Sequence, residues 1–345
     1  MLVGFCREAL AAVGLSKADQ ATVSGALVLA DSMGVFTHGT KLLVGYLKRL
    51  QGGGYQASGL PKIEREGPAW AVVEGAHALG QIGGTFAMNL AVEKARICGV
   101  GYVGLKNTGH IGAAGYYAVL AAQKEMAGMV LGNDRPSVAA PGSKGPVLGS
   151  NPLAYAVPVP GGDPILLDMA TSAVAGGKVY AAFQRGEPIA DTWLIGHDGK
   201  PTTDGSLYPH QAALAPMAGH KGYGIALWAE ILSGVIPGGA ITCQVGSWMF
   251  DEPCKPSLHN AAFLAIDVMA ISNRDIYTKK INHLVHEIQN SPPAELSTPV
   301  LLPGQREWAQ KRSSDQNGIV LPEDVLAKLD EVAREWNLNT PWTQV

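Results

Sequence analysis

The sequence is short of charge. Asp, Glu, Lys and Arg make up only 16% of it, the formal net charge is −3, and no basic run occurs. Nucleic acid and anionic membranes both need clustered Lys and Arg, so neither is expected as the main partner and a small molecule is. Cysteine is scarce too. Cys6, Cys98, Cys243 and Cys254 are scattered without a C-x-x-C of metal-site type, which predicts free thiols in a reducing cytoplasm. Long apolar runs are missing: AAVG and AGMVLG fall far short of the roughly 20 residues that span a bilayer. Arg7 and Glu8 interrupt the first apolar stretch, which argues against a signal peptide.

What the chain has in quantity is glycine, 43 residues, and proline, 22, within a composition that is 47% hydrophobic. This describes a loop-punctuated α/β protein. Its 345 residues exceed the size at which one core usually stops growing, so two or more lobes are expected. Residues 1–65 read as helical: FCREALAAVGL, then a Ser16 cap with Asp19 three positions on, then HGTKLLVGYLKRL stopping at Gly52-Gly53-Gly54. Residues 66–302 read as α/β. The strand candidates are PAWAVVEG, GYVGLKN, AGMVLGN, LAYAVPV, PILLDMA and NAAFLAID, and the helix candidates include FAMNLAVEKARICG, AAGYYAVLAAQKEM and GHKGYGIALWAEILSG. The C-terminal stretch, 303–345, returns to helix and is expected to pack on the N-terminal helices.

Gly99, Gly101 and Gly104 spell GVGYVG, a literal G-x-G-x-x-G. In a dinucleotide fingerprint a strand precedes the glycines and a helix follows, so that the helix N-terminus faces the pyrophosphate. Here the helix comes first and the strand after, so the stretch reads as a helix C-cap and the start of a strand. A phosphate loop of Walker type is absent, because Gly199-Lys200 runs into Pro201.

Three histidines have glycine neighbours: His38, His110 and His220. Such positions leave room for a ligand, although a single His-Gly is more often a polar turn. None forms a close pair of metal-binding spacing, so no metal is expected. Tyr46 lies eight residues after His38 on the same expected helix face and could support a ligand there. The run from Leu166 to Ser172 reads as a strand ending in polar residues, where ligands of α/β proteins tend to bind. Gly149-Ser150-Asn151-Pro152 reads either as a turn or as backbone that meets a ligand.

Taken in order, ADSMGVFTHG (30–39), NTGHIGAAGYY (107–117), VLGSNPLAYAVP (147–158), LDMATSAVAGGKV (167–179), GKPTTD (199–204), PMAGHKGYGIAL (216–227) and PGQRE (303–307) resemble the malate/L-lactate dehydrogenase family over nearly the whole chain. The resemblance implies an NAD(P)-dependent oxidoreductase of non-Rossmann α/β fold, usually a homodimer. The implied reaction interconverts a small 2-oxo acid and its 2-hydroxy acid, with a cyclic imine carboxylate as the alternative substrate. It implies His110 as the acid/base residue and His38 as its neighbour on the substrate oxygen, with Tyr46 helping to hold the substrate. It also places Asp134, Asp168, Met169, Ala170, Lys221 and Gly222 around NAD or NADP, and Asn151 is assigned to the cofactor with them. An imidazolium near its usual pKa could supply the proton for reduction.

The chain departs from the pattern at Leu42, where the family commonly has an arginine that clamps the substrate carboxylate. Lys41 is expected about 100° away on the helix, so Arg135 is the candidate for the missing charge. Gly176 stands where an arginine is frequent. Asp134 near a ribose would favour NAD over NADP.

Overall fold

Ser16 shows how closely local chemistry is realised. In a computed structural model, which describes residues 1–295, 299–340 and 342, the Asp19 amide donates to the Ser16 hydroxyl at 3.2 Å and so caps the second helix. Helices α1 (Leu2–Ala12), α2 (Lys17–Ser32) and α3 (Leu43–Gly52) form the N-terminal part, and Gly53 ends α3 in the left-handed conformation. The third helix starts later than the leucine pattern predicts. Residues 36–38 and 40–42 form two 3-10 turns instead, because the buried Asp31 carboxylate accepts from both the amide and the hydroxyl of Thr40, at 3.0 and 2.6 Å. Gly39 is required at this turn, since a Cβ there would overlap the Asp31 carboxylate.

The chain then runs β1 (Lys62–Glu66), β2 (Trp70–Glu74), α4 (Gly80–Cys98), β3 (Val100–Thr108), α5 (Ala114–Ala122), β4 (Ala127–Gly132), β5 (Val138–Ala139), β6 (Pro146–Leu148), β7 (Leu153–Val157) and β8 (Ile165–Met169). After these come α6 (Gly176–Gln184), β9 (Leu194–Gly196), β10 (Pro201–Thr202), β11 (Ala212–Leu214), α7 (His220–Glu230), β12 (His259–Ile266), α8 (Val268–Ile271), α9 (Arg274–Gln289), α10 (Gln305–Asn317) and α11 (Glu323–Glu335). The main sheet has the order β1-β2-β3-β12-β4-β7-β8, and only β2 and β3 pair in parallel. Gly99 is the left-handed C-cap of α4, directly before β3, so GVGYVG joins a helix end to a strand start. β1, which the reading above does not contain, is an exposed charged edge strand spanning the boundary expected at residue 65.

Four apolar clusters result among the described residues, the smallest being Leu131, Ala229, Leu232 and Ala262 between the main sheet and the α7 segment. One lies between the main sheet and α4 and α5, with Val103, Leu105, Tyr117 and Phe263 fully buried. A second joins α1–α3 to α11, whose Val325, Leu329 and Val332 repeat at helical spacing and are each 0% exposed. Burying each such side chain stabilises the fold by about 1.5–3 kcal/mol. The third holds α6 to a small sheet of order β10-β9-β11-β5-β6, formed from short strands that the sequence reading passes over.

Asp31 makes the turn before α3 sensitive to pH. Burial pushes its carboxyl from 3.8 up to about 6 against the two Thr40 hydrogen bonds, and Oδ1 is buried without a partner. A folded-state pKa above the unfolded one means that the folded protein holds the extra proton. Stability is therefore full below about pH 4 from this group and falls as pH rises through 6, by on the order of 3 kcal/mol. Urea titrations between pH 4 and 7 should show this slope for the wild type and a flatter one for Asp31→Asn; equal slopes would remove the assignment.

Candidate active site

His110 occupies the short link between the end of β3 and the start of α5. Its glycine neighbours answer a packing need. A Cβ at Gly109 would strike the Tyr55 ring, and Gly112 has φ +71°. The His110 amide donates to the Tyr55 hydroxyl at 3.1 Å, which fixes the backbone. The ring is fixed from α3: the Tyr46 hydroxyl lies 2.8 Å from His110 Nδ1, and Gln81 Nε2 donates to the same hydroxyl at 3.3 Å. Tyr46 is fully buried, and burial keeps its phenol well above the ordinary pKa, hence protonated.

Aromatic rings enclose the imidazole. Trp248 stacks on it at 4.7 Å with 13° between planes, His38 faces it at 6.0 Å with 29° between planes, and His259 meets it edge-on at 5.7 Å. Burial, aided by the charges that His259 and His38 can carry, holds the His110 pKa well below 6.5. His110 Nε2 has no hydrogen-bond partner among the described residues.

His259 arrives through strand pairing. β12 runs antiparallel to β3 with His259 opposite Thr108, two residues before His110. Its Nδ1 lies 2.9 Å from the Ser257 hydroxyl and its Nε2 3.1 Å from Asp134 Oδ1. Burial works to raise the Asp134 carboxyl, but the hydrogen bond and charge of His259 outweigh it and the pKa is lowered. Asp134 is positioned by its own amide, which donates to Asn151 Oδ1 at 3.2 Å. Asn151 in turn donates from Nδ2 to Ala226 O and Glu230 Oε2.

Trp248 is held in place by Arg49. This guanidinium, 2% exposed, donates to the carbonyls of Ser247, Trp248, Asp251 and Lys255 at 2.5–2.9 Å. Four carbonyl dipoles therefore solvate a buried charge and shape the 247–255 loop around it.

These groups face a cavity of about 1370 Å³, lined on one side by His38, His110, Asp134, Arg135, Trp248 and His259. The same cavity is also lined by Asp168–Ala170, by Gly176–Lys178 and by Gly304, Arg306 and Glu307, taken together as its second arm. Asp168 ties the two parts together by accepting from the Gly115 amide at the start of α5 at 2.7 Å. Burial raises its pKa, and Glu307 adds to this, against that hydrogen bond and the charge of His38. The cavity is larger than the roughly 300–1,000 Å³ usual for one small ligand, so it has room for a substrate beside a second, larger molecule.

A family model described as malate/L-lactate dehydrogenase matches residues 1–330. The chain belongs to the malate/L-lactate dehydrogenase family. It is 35% identical to a malate dehydrogenase of Pyrococcus abyssi, over 96% of this chain and 92% of that protein. It is 32% identical to an NAD(+) ureidoglycolate dehydrogenase of Escherichia coli, over 92% and 89% of the two chains. The solved sulfolactate dehydrogenase of Methanocaldococcus jannaschii superimposes with a TM-score of 0.90 at 33% identity, covering 98% of this chain and 96% of that one. The protein is thus an oxidoreductase of this family, with its mixed α/β fold.

Within the enzyme, His38, His110, Asp134, Arg135, Asp168, Met169 and Ala170 all line the cavity. Tyr46 does not; it is fully buried, with its hydroxyl on His110 Nδ1. Asn151 is likewise buried and acts on the backbone of Asp134. Lys221 and Gly222 lie at the start of α7, outside the cavity lining, with Lys221 exposed and the Gly222 amide bound to Met217 O at 2.8 Å. Asp134, considered above as a ribose partner, has its carboxylate on His259. The 3-10 turn brings both Lys41 and Leu42 to the cavity wall, where Lys41 pairs with Asp324 at 2.6 Å. His259, Trp248, Gln81 and Arg49 were missed. Only His259 had a usable signal, a histidine one residue ahead of an expected strand.

Replacing Arg49 with Lys keeps a charge but loses the fork, leaving some of the four carbonyls unsatisfied. We expect a loss of roughly 2–5 kcal/mol in urea denaturation, with tryptophan emission shifted toward that of exposed indole. Wild-type stability and emission would show that the fork is dispensable.

Proposed function

We propose that the chain oxidises a 2-hydroxy acid to a 2-oxo acid, and catalyses the reverse, with NAD or NADP as redox partner. His110 is the proton-transfer residue. The observation that carries this reading is the geometry of that imidazole: Nδ1 is engaged by a buried phenol while Nε2 is unpartnered beside the cavity. The cofactor is held by a fold other than the doubly wound parallel one. Support comes from a sheet with one parallel pair and from the cavity arm at the start of α6, where Gly177 has open space beside it and Lys178 offers a cation to a phosphate. A bound nicotinamide would supply the acceptor, or in reverse the donor, for the hydride at substrate C2.

The residues of the chain handle the proton. Gln81 Oε1 is buried without a partner. Turned by half a rotation, the Gln81 amide offers this oxygen to the Tyr46 proton; the phenol oxygen then accepts Nδ1–H, and the Nε2 lone pair of His110 faces the substrate hydroxyl. Tyr46 is therefore a positioning residue for His110. Because His110 is held neutral well below pH 6.5, the base needed for oxidation is ready in the free enzyme, and oxidation should persist into the mildly acidic range. In reduction the incoming carboxylate favours the imidazolium that must donate. His38 orients the same oxygen, and Arg135 pairs with the carboxylate.

The enzyme works as a homodimer in the cytoplasm. Leu227 and Trp228 on α7 and Val235 and Ile236 just beyond it are 40–54% exposed, an apolar face suited to a second copy, and Cys6, Cys98, Cys243 and Cys254 are all free thiols.

His110→Ala should lower turnover of 2-hydroxy acids by about 10²- to 10⁴-fold while calorimetry still detects cofactor binding; wild-type turnover would remove the assignment. Trp228→Glu should convert a dimer to monomer in light-scattering chromatography, and an unaltered mass would place the interface elsewhere.

A further inference from the structure

We infer that the site selects substrates with a single carboxylate and an apolar side chain, and disfavours dianions. The inference rests on the dehydrogenase reading above and concerns the wall facing His110. Trp248 stacks on His110, and the next two residues, Met249 and Phe250, are 62% and 63% exposed yet line the cavity. Large apolar side chains left in water at a cavity rim gain most when an apolar ligand group covers them. Half-buried Leu42 extends this wall from the 3-10 turn.

The charges agree. Lys41 is already held by Asp324 at 2.6 Å. Arg135 makes no ion pair among the described residues, and its guanidinium lies 5.8 Å over the Phe250 ring, which leaves its hydrogen-bonding edge for one carboxylate. Lys178 and Arg306 line the arm assigned to the cofactor. A second negative group on the substrate would meet either the apolar wall or the carboxylates of Asp134 and Asp168, both close enough to act on His38. It would lose its hydration without gaining a partner. The side chain of the substrate, beyond C2, is thus expected against Trp248, Met249 and Phe250.

Initial rates with 2-oxoisocaproate, phenylpyruvate, oxaloacetate and 2-oxoglutarate test this, each with reduced NAD and reduced NADP. The wild type should show kcat/KM roughly tenfold or more higher for the first two acids. Leu42→Arg should raise oxaloacetate relative to them about tenfold. Met249→Lys, at an exposed position that folding tolerates, should do the same. Preference of the wild type for either dianion, or an unchanged ranking in a soluble, folded Met249→Lys, would overturn the inference. If no acid is turned over, the dehydrogenase reading fails. Binding of the same four acids, followed by tryptophan fluorescence, then still decides: tighter binding of the apolar acids supports the selection and tighter binding of the dianions overturns it.

Discussion

The hydrogen bond between Tyr46 and His110 is the contact on which the site depends. It joins a helix of the N-terminal region to the link between β3 and α5, with Tyr46 fully buried and His110 half-buried at the cavity. A buried imidazole is costly unless a partner satisfies it, and a phenol that stays protonated is a partner whose own charge never changes. His110 therefore keeps a fixed orientation, while burial holds its pKa low. Turning it away would leave the Tyr46 hydroxyl with Gln81 alone.

The same helix does a second task one turn further on. Arg49 carries a charge into the interior and, among the described residues, finds only backbone carbonyls from one loop and no carboxylate. A guanidinium can accept this arrangement because its planar fork presents donors in several directions at once. The result is that Trp248 stacks on His110 from a segment of turns that is neither helix nor strand. Tyr46 and Arg49, three residues apart on one helical face, so arrange both sides of the imidazole.

Burial of acidic groups tunes the remainder. Asp31 orders the turn carrying His38 at the cost of a raised pKa and one orphaned oxygen. Asp134 is held ionised by His259, whereas Asp168 is pushed the other way. Two carboxyls facing one cavity thus have opposite tendencies, set by which has an imidazole in hydrogen-bond contact.

Much of this was legible in the chain itself. The helix–glycine–strand order around GVGYVG excluded the usual dinucleotide fingerprint, since local sequence sets whether a strand or helix precedes a glycine run. The Ser16 cap, the stop at Gly53 and the glycine bed of His110 are likewise local, governed by backbone conformation within a few residues. Tertiary structure alone decided the rest. That the Tyr46 hydroxyl meets His110 and the Asn151 amide meets the backbone of Asp134 could not be read from the chain, because local pattern names a face or a turn without naming what packs on it. His259 entered the site through a strand register spanning about 150 residues of chain, and Arg49 found its partners about 200 residues away. Such contacts are chosen by the need to satisfy buried polar groups, and that need exists only once the lobes have closed over them.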